Sequence, residues 1–231
     1  MLIYDGYKIE NIAIIDDKPL ARESMSDIIS DADFKPYIVD KKLNSVDELF
    51  IVLTKTSQAA IFDHHLSIAN YANFNGAEAV SSLYIKKIPA LLVTAYSKSD
   101  IDSIRLYRRQ IPLIYNSRDF ISENIENGIR VCIEEFKENY SADRKSWKTL
   151  FRIEDLDTQR EFAFIIIPSW DSKQTIRLPF EIFGNLKDYI NIGERFYAQV
   201  NIGAEKQEDL FFTDIELPKK PKGKYADFIH S

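Results

Sequence analysis

The chain has very little cysteine. Its 231 residues include one, Cys132, so an internal disulfide framework is excluded and a reducing compartment is expected. Cys132 falls in a helical pattern, where a lone thiol commonly packs as a small apolar side chain. The sequence is therefore not that of a disulfide-stapled secreted domain.

Long apolar runs are missing as well. No stretch approaches the roughly 20 apolar residues needed to cross a bilayer, and the first residues lack a basic region followed by an apolar one. We therefore expect no membrane segment and a cytoplasmic location.

The chain also lacks an excess of basic charge. Residues 1–140 carry 16 Lys and Arg against 21 Asp and Glu, and residues 141–231 carry 14 against 15. Nucleic-acid binding relies on a basic surface, and no basic helix-turn-helix pattern is present. The basic stretch 219–224 is interpreted as a solvated tail. The aromatic residues of the second half are interpreted as core: Phe151, Phe162, Phe164, Trp170, Phe196, Tyr197, Phe211 and Phe212. Nucleic acid is therefore not an expected partner.

What the chain does contain is a set of acidic residues placed at the ends of apolar runs. Asp16 and Asp17 follow the run 12–15, Asp63 follows 59–62, and Thr94 ends a third run. The carboxyl ends of parallel strands lie on one edge of a sheet, so these side chains are expected to converge there. Crowded carboxylates either take up protons or bind a cation, and an oxygen-only set suits Mg²⁺.

Residues 8–140, with this layout, resemble the receiver domain of bacterial response regulators. Asp16 and Asp17 match the acidic metal-binding pair of that family, Asp63 matches its phosphoacceptor, and Thr94 matches its switch hydroxyl. The spacings from Asp17 to Asp63 and from Asp63 to Thr94 are close to those usual in the family.

The resemblance implies a fold, a cofactor and partners. The fold would be a flavodoxin-like, doubly wound, five-stranded parallel sheet over residues 1–140. Mg²⁺ would be held by Asp16, Asp17, Asp63 and the backbone carbonyl of His65. A histidine kinase or a phosphotransfer protein would supply the phosphoryl group. No enzymatic activity is expected beyond self-phosphorylation and dephosphorylation of Asp63.

One position departs from the family pattern. The family places a Lys just after its fifth strand, and here Asn116 takes that place, with Arg118 two residues on. An amide forms only neutral hydrogen bonds, which are roughly half as strong as charge-assisted ones. Two alternatives therefore stay open beside a signalling receiver, namely a phosphate sink that buffers a kinase and a non-phosphorylated scaffold.

The pattern of residues 1–140 predicts alternating strands and helices. Strands are expected at 11–15, 36–39, 59–62, 89–94 and 112–115. Helices are expected at 18–31, 45–55, 76–86, from about 97 or 99 to 109, and at 119–139.

The rest of the chain changes character. Residues 141–147 are polar and are interpreted as a linker. Residues 148–231 contain five short strand-like runs, with a helix-like segment at 180–190 after the third. This pattern favours a small β-barrel of OB or SH3 type, with another β-rich fold as the alternative. Such a domain would act through a protein output partner or a homodimer.

Overall fold

The two halves of the chain are built on different kinds of sheet. The computed structural model describes residues 1–67, 70–95 and 100–219. The chain separates into two compact units, Met1–Ser141 and Ala142–Ser231. The first contains a parallel sheet and the second an antiparallel one.

A β-hairpin that the sequence analysis did not predict opens the first unit. Strands β1 (Leu2–Tyr4) and β2 (Tyr7–Ile9) are antiparallel, and Tyr4 lies opposite Tyr7. The intervening Asp5 and Gly6 both have positive φ, 47° and 81°, as a type I′ turn requires. The Asp-Gly pair is the local signal by which this hairpin could have been found.

The main sheet of the first unit has the strand order that the resemblance implies. The order across the sheet is β4-β3-β5-β6-β7, and every pair is parallel. This is the flavodoxin-like order of a doubly wound sheet. The strands are β3 (Asn11–Ile15), β4 (Lys35–Ile38), β5 (Ala59–Phe62), β6 (Ala90–Thr94) and β7 (Ile114–Asn116).

Helices cover both faces of this sheet, which is why its inner strands are apolar throughout. Along β3, Ile12 and Ile14 enter one core cluster, while Ala13 and Ile15 enter the other. The helices are α1 (Pro19–Asp31), α2 (Val46–Thr56), α3 (Gly76–Ile85), α4 (Asp100–Arg105) and α5 (Ser122–Glu135).

The predicted end of the helix at residue 109 is wrong. Helix α4 ends at Arg105, and a separate 3-10 helix spans Arg108–Gln110. The amides of Tyr107 and Gln110 bond three residues back rather than four, which tightens the chain. The buried Arg108 guanidinium donates to the carbonyl of Ile111 and so fixes this turn. The expected start of this helix, at about residue 97 or 99, lies outside the described residues.

The second unit is a five-stranded antiparallel sheet in the order β10-β9-β8-β11-β12. Among the described residues the outer strands β10 and β12 are not paired with each other, so closure into a barrel stays a prediction. The 180–190 segment is 3-10 helix over Phe180–Tyr189, broken at Gly184 by a φ of 54°. The strands are β8 (Trp147–Asp157), β9 (Phe162–Ile167), β10 (Asp171–Pro179), β11 (Arg195–Val200) and β12 (Phe212–Glu216).

Aromatic side chains form much of the core of the second unit. The rings of Phe151 and Phe196 stack with centroids 5.6 Å apart, and Phe183 packs edge-on against both. Phe211 and Phe212 are buried too, whereas Phe162, Phe164, Trp170 and Tyr197 are half-buried. Of the basic stretch 219–224, the structure describes Lys219 alone. In the described part of the chain, no helix has both the length and the apolar character that crossing a membrane demands.

Candidate functional site

Strand register brings two of the predicted acidic residues together. Ile15 at the end of β3 lies opposite Phe62 at the end of β5, and the amide of Asp63 donates to the carbonyl of Ile15 at 3.0 Å. Asp16 and Asp63 each follow one member of this pair. They therefore leave neighbouring strands at the same edge of the sheet.

Asp17 completes the cluster. One carboxylate oxygen from each of Asp16, Asp17 and Asp63 can be chosen so that all three lie within 4.8 Å of one another. Oxygen ligands from carboxylates are what Mg²⁺ takes in proteins, with water and phosphate oxygens filling its remaining positions. The cluster therefore has the composition and spacing of a divalent-cation site.

The surroundings of Asp17 support this interpretation. Its side chain is 8% exposed, and within the described ranges neither carboxylate oxygen has a hydrogen-bond partner. A buried charge without a partner is costly unless a cation or hydrogen bonds compensate it. The two oxygens thus fit the ligands of a metal ion.

Asp16 shows the electrostatic strain of the cluster. Burial raises the pKa of its carboxyl above the ordinary value, and the negative charges of Asp63 and Asp17 raise it further. The amide of Lys18 donates to Asp16 Oδ1 at 2.8 Å and opposes this rise. A bound cation would favour the charged form of all three groups.

The other two predicted site residues lie at the same edge on the next strands. Thr94, the last residue of β6, is buried and lies opposite Asn116 at the end of β7. Asn116 is exposed, and its side-chain oxygen accepts a hydrogen bond from the amide of Arg118 at 2.9 Å. Thr94 and Asn116 therefore occupy corresponding positions in the register, with the amide of Asn116 turned toward its own loop.

The two histidines after Asp63 differ in their surroundings. His64 is buried, and burial lowers the pKa of its imidazole. His65 is about half exposed, and its amide donates to Asp63 Oδ2 at 3.2 Å. Its imidazole Nε2 lies 3.0 Å from Asp100 Oδ1 at the start of α4. The sequence analysis did not predict the contact with Asp100.

Two further residues beside the cluster were missed. Gly76, the first residue of α3, donates its amide to the carbonyl of His64 at 2.9 Å and lies against the carbonyl of Asp63. Arg22 on α1 donates to the carbonyl of Asp16 at 2.6 Å, and its guanidinium lies 5.5 Å from the centre of the Tyr71 ring. Glycine at a helix start and arginine five residues after an acidic pair are weak local signals, so sequence reasoning gave no role to either.

Solved receiver domains match a little over half of the chain. A response regulator receiver domain from Methanospirillum hungatei is 15% identical, with a TM-score of 0.40, covering 57% of this chain and 98% of that one. The signal receiver domain of a modulated diguanylate cyclase from Desulfovibrio desulfuricans is also 15% identical, with a TM-score of 0.45 and the same coverage. A receiver domain protein from Clostridium thermocellum is 11% identical, with a TM-score of 0.42, covering 56% and 98%.

No protein-family model and no curated protein matches the sequence. The matching structures have low sequence identity to this chain and low TM-scores. The fold of the first unit is therefore assigned from its own strand order and strand register.

Proposed function

We propose that this chain is a receiver of a phosphorelay and that Asp63 accepts its phosphoryl group. The observation that carries the proposal is the gathering of Asp16, Asp17 and Asp63 at one sheet edge, with both oxygens of Asp17 buried and without hydrogen-bond partners in the described structure. A structural role alone gives no reason for three clustered carboxylates, which repel one another.

The proposed step is a transfer between two side chains. A carboxylate oxygen of Asp63 attacks the phosphorus of a phosphohistidine on a histidine kinase or phosphotransfer partner. The new O–P bond forms as the N–P bond breaks, and the imidazole nitrogen keeps the bonding electron pair. Catalysis of such a transfer consists mainly of positioning and charge neutralisation.

The chain's own residues would position this reaction. Asp16, Asp17, Asp63 and the backbone carbonyl of His65 would hold Mg²⁺. When bound, Mg²⁺ would neutralise charge on the carboxylates and on the phosphoryl oxygens. The hydroxyl of Thr94, at the end of the adjacent strand, would donate to a phosphoryl oxygen. The amide of Asn116 would offer a second, neutral donor.

The signal would leave through protein contacts. The first unit has no excess of basic charge, and the second is close to neutral by residue count. That balance supports a protein partner, or a second copy of the chain, over nucleic acid. The second unit would then act as the output or docking module.

One observation favours a second candidate, a phosphate sink. Asn116 stands where a receiver has its Lys, and its side-chain oxygen is already bonded to the amide of Arg118. Without a charge-assisted bond from residue 116, the contact between the phosphoryl group and β7 would be weaker. Phosphorylation would then have less effect on the conformation of that strand. A sink would accept phosphate from a kinase without a conformational output.

Intact mass spectrometry tests the proposal. The full chain is incubated with Mg²⁺ and acetyl phosphate, beside Asp63→Asn and the matched variant Asp27→Asn, which removes an exposed carboxylate on α1. We expect one phosphoryl adduct in the wild type and in Asp27→Asn, and none in Asp63→Asn. A folded wild type that gains no adduct would instead favour the non-phosphorylated scaffold.

A further inference from the structure

His65 makes two polar contacts, one through its backbone and one through its side chain. Its backbone amide donates to Asp63 Oδ2 at 3.2 Å, and its imidazole Nε2 lies 3.0 Å from Asp100 Oδ1. The side chain of Asp100 is 6% exposed, and Asp100 is the first residue of α4. A single residue therefore joins the candidate phosphoacceptor to the start of a helix 35 residues further along the chain.

His64 adds a second connection to the same helix. Its Nε2 lies 2.9 Å from Ser103 Oγ, and Ser103 Oγ donates to the carbonyl of Asp100 at 3.0 Å. A hydroxyl has one proton to donate, so Ser103 must accept from His64, which places the imidazole proton on Nε2. The imidazoles of both histidines that follow Asp63 are thus in contact with side chains at the beginning of α4.

We propose that His65 is a positioning residue that couples the state of Asp63 to α4 through the contact between its imidazole and the carboxylate of Asp100. This inference rests on the proposed function, since it needs Asp63 to change state. It adds to that function a second path by which phosphorylation of Asp63 would affect α4. This path does not involve Thr94 or residue 116, where the family has a Lys.

Phosphorylation of Asp63 would affect α4 because His65 contacts Asp63 through its backbone amide and Asp100 through its imidazole. Phosphorylation of Asp63 replaces a carboxylate with an acyl phosphate, which carries no charge on the carboxyl carbon's oxygens. The bond from the His65 amide then loses its charge assistance, and charge-assisted bonds are roughly twice as strong as neutral ones. A shift of the His65 backbone moves its imidazole. The imidazole is in contact with the carboxylate of Asp100, so the shift also acts on Asp100.

Two features make α4 responsive to such a shift. The Asp100 carboxylate is buried, so loss of its polar contact with the imidazole is costly and movement of the helix together with His65 is favoured. After Arg105, α4 gives way to a 3-10 helix, whose hydrogen-bond geometry is poorer and opposes displacement less.

Hydrogen–deuterium exchange of the full chain tests the coupling. Exchange of peptides covering 100–110 is measured with and without Mg²⁺ and beryllofluoride, in the wild type, His65→Ala and Asp100→Asn. The matched control is Asp47→Asn, which removes an exposed carboxylate from the first turn of α2. His65→Gln keeps a side-chain N–H donor and serves as the conservative variant.

We expect α4 to exchange roughly tenfold faster in unloaded His65→Ala and Asp100→Asn, as the loss of a polar contact at a buried carboxylate implies, and to be unchanged in Asp47→Asn. Loading should alter α4 exchange in the wild type and in Asp47→Asn. In Asp100→Asn the mimic should still bind while α4 no longer responds, and His65→Gln should recover part of the response lost in His65→Ala.

An α4 response that persists undiminished in His65→Ala and Asp100→Asn would overturn the coupling. Unchanged α4 exchange in both unloaded variants would also overturn it. If the wild type binds no mimic, the proposed function fails as well. In that case, faster exchange in the unloaded variants would show that the contact between His65 and Asp100 only stabilises α4. That result would also reject the inference.

Discussion

Gly76 lies directly against the carbonyl oxygen of Asp63. A Cβ at this position would overlap that oxygen and also press on the backbone of His64. The amide of Gly76 donates to the carbonyl of His64 at 2.9 Å, so the start of α3 holds the loop after Asp63 in place. The lack of a side chain at residue 76 therefore allows the start of α3 to lie close to the backbone of Asp63, the candidate phosphoacceptor.

Replacement of Gly76 by alanine should disturb both stability and the site. The added Cβ must displace the backbone of Asp63, and overpacking of this kind costs about 1–3 kcal/mol in unfolding free energy. We expect weaker binding of beryllofluoride with Mg²⁺ in addition. Chemical denaturation and a mimic titration measure the two effects, with Ser82→Ala on the same helix as the control. Wild-type affinity for the mimic would contradict the role given to Gly76.

Removal of the Asp17 charge should stabilise the metal-free protein. Asp17→Asn relieves a buried carboxylate that has no hydrogen-bond partner in the described structure, and we expect the free energy of unfolding to rise by about 1 kcal/mol. The same change removes a ligand, so Mg²⁺ should no longer raise the melting temperature as it does in the wild type. Thermal unfolding with and without Mg²⁺ measures both effects, and Asp27→Asn is the control. A Mg²⁺ response equal to that of the wild type would exclude Asp17 as a ligand.

Restoring a cation at Asn116 should strengthen phosphoryl binding. Asn116→Lys offers a charge-assisted bond where the wild type offers a neutral one, and we expect beryllofluoride to bind roughly tenfold more tightly. Ser117→Lys adds the same charge one residue away and controls for a general electrostatic effect. Equal gains in both variants would mean that position 116 has no specific contact with the phosphoryl group.

The hydrogen bonds to Glu134, near the end of α5, should make stability depend on acid. The side-chain bond from Lys137 lowers the pKa of Glu134 to about 2, with the hydroxyl of Tyr4 and the amide of Asn139 contributing. Because the folded-state pKa lies below the ordinary value of 4.5, Glu134 stabilises the fold above pH 4.5. That stabilisation is lost as the pH falls from about 4.5 toward about 2.

Thermal unfolding of the wild type and Glu134→Gln over this pH range checks the effect. The wild type should melt higher at pH 7, and the difference should shrink steadily below about pH 4.5. Glu126→Gln, on the same helix and paired with Arg130, controls for loss of an exposed carboxylate. A difference that is constant across the pH range would show that the bonds to Glu134 do not stabilise the folded state.

The strands and most helices of the first unit were predictable because their signals are local. The buried strands β3, β5 and β6 are largely apolar runs. Strands β3 and β5 end one residue before Asp16 and Asp63, and β6 ends at Thr94. Parallel strands align their carboxyl ends, so the meeting of Asp16, Asp17 and Asp63 followed from the strand pattern. The roles given to these residues stay predictions.

What could not be predicted depends on contacts between distant segments. The contact between His65 and Asp100 spans 35 residues, and nothing near either residue indicates the other. The early end of α4 follows from the buried guanidinium of Arg108, which an amphipathic pattern cannot distinguish from an exposed one. The order of the second sheet, with β8 at its centre, is likewise set by tertiary pairing and not by local sequence.

The central claim is that Asp63, and no other carboxylate of the chain, takes the phosphoryl group. The most direct measurement is reduction of the phosphorylated full chain with borohydride, which converts an aspartyl phosphate to homoserine, followed by peptide sequencing with mass spectrometry. The account predicts homoserine at position 63 and unmodified Asp16 and Asp17. Homoserine at another position, or none after treatment of folded protein with Mg²⁺ and acetyl phosphate, would contradict it.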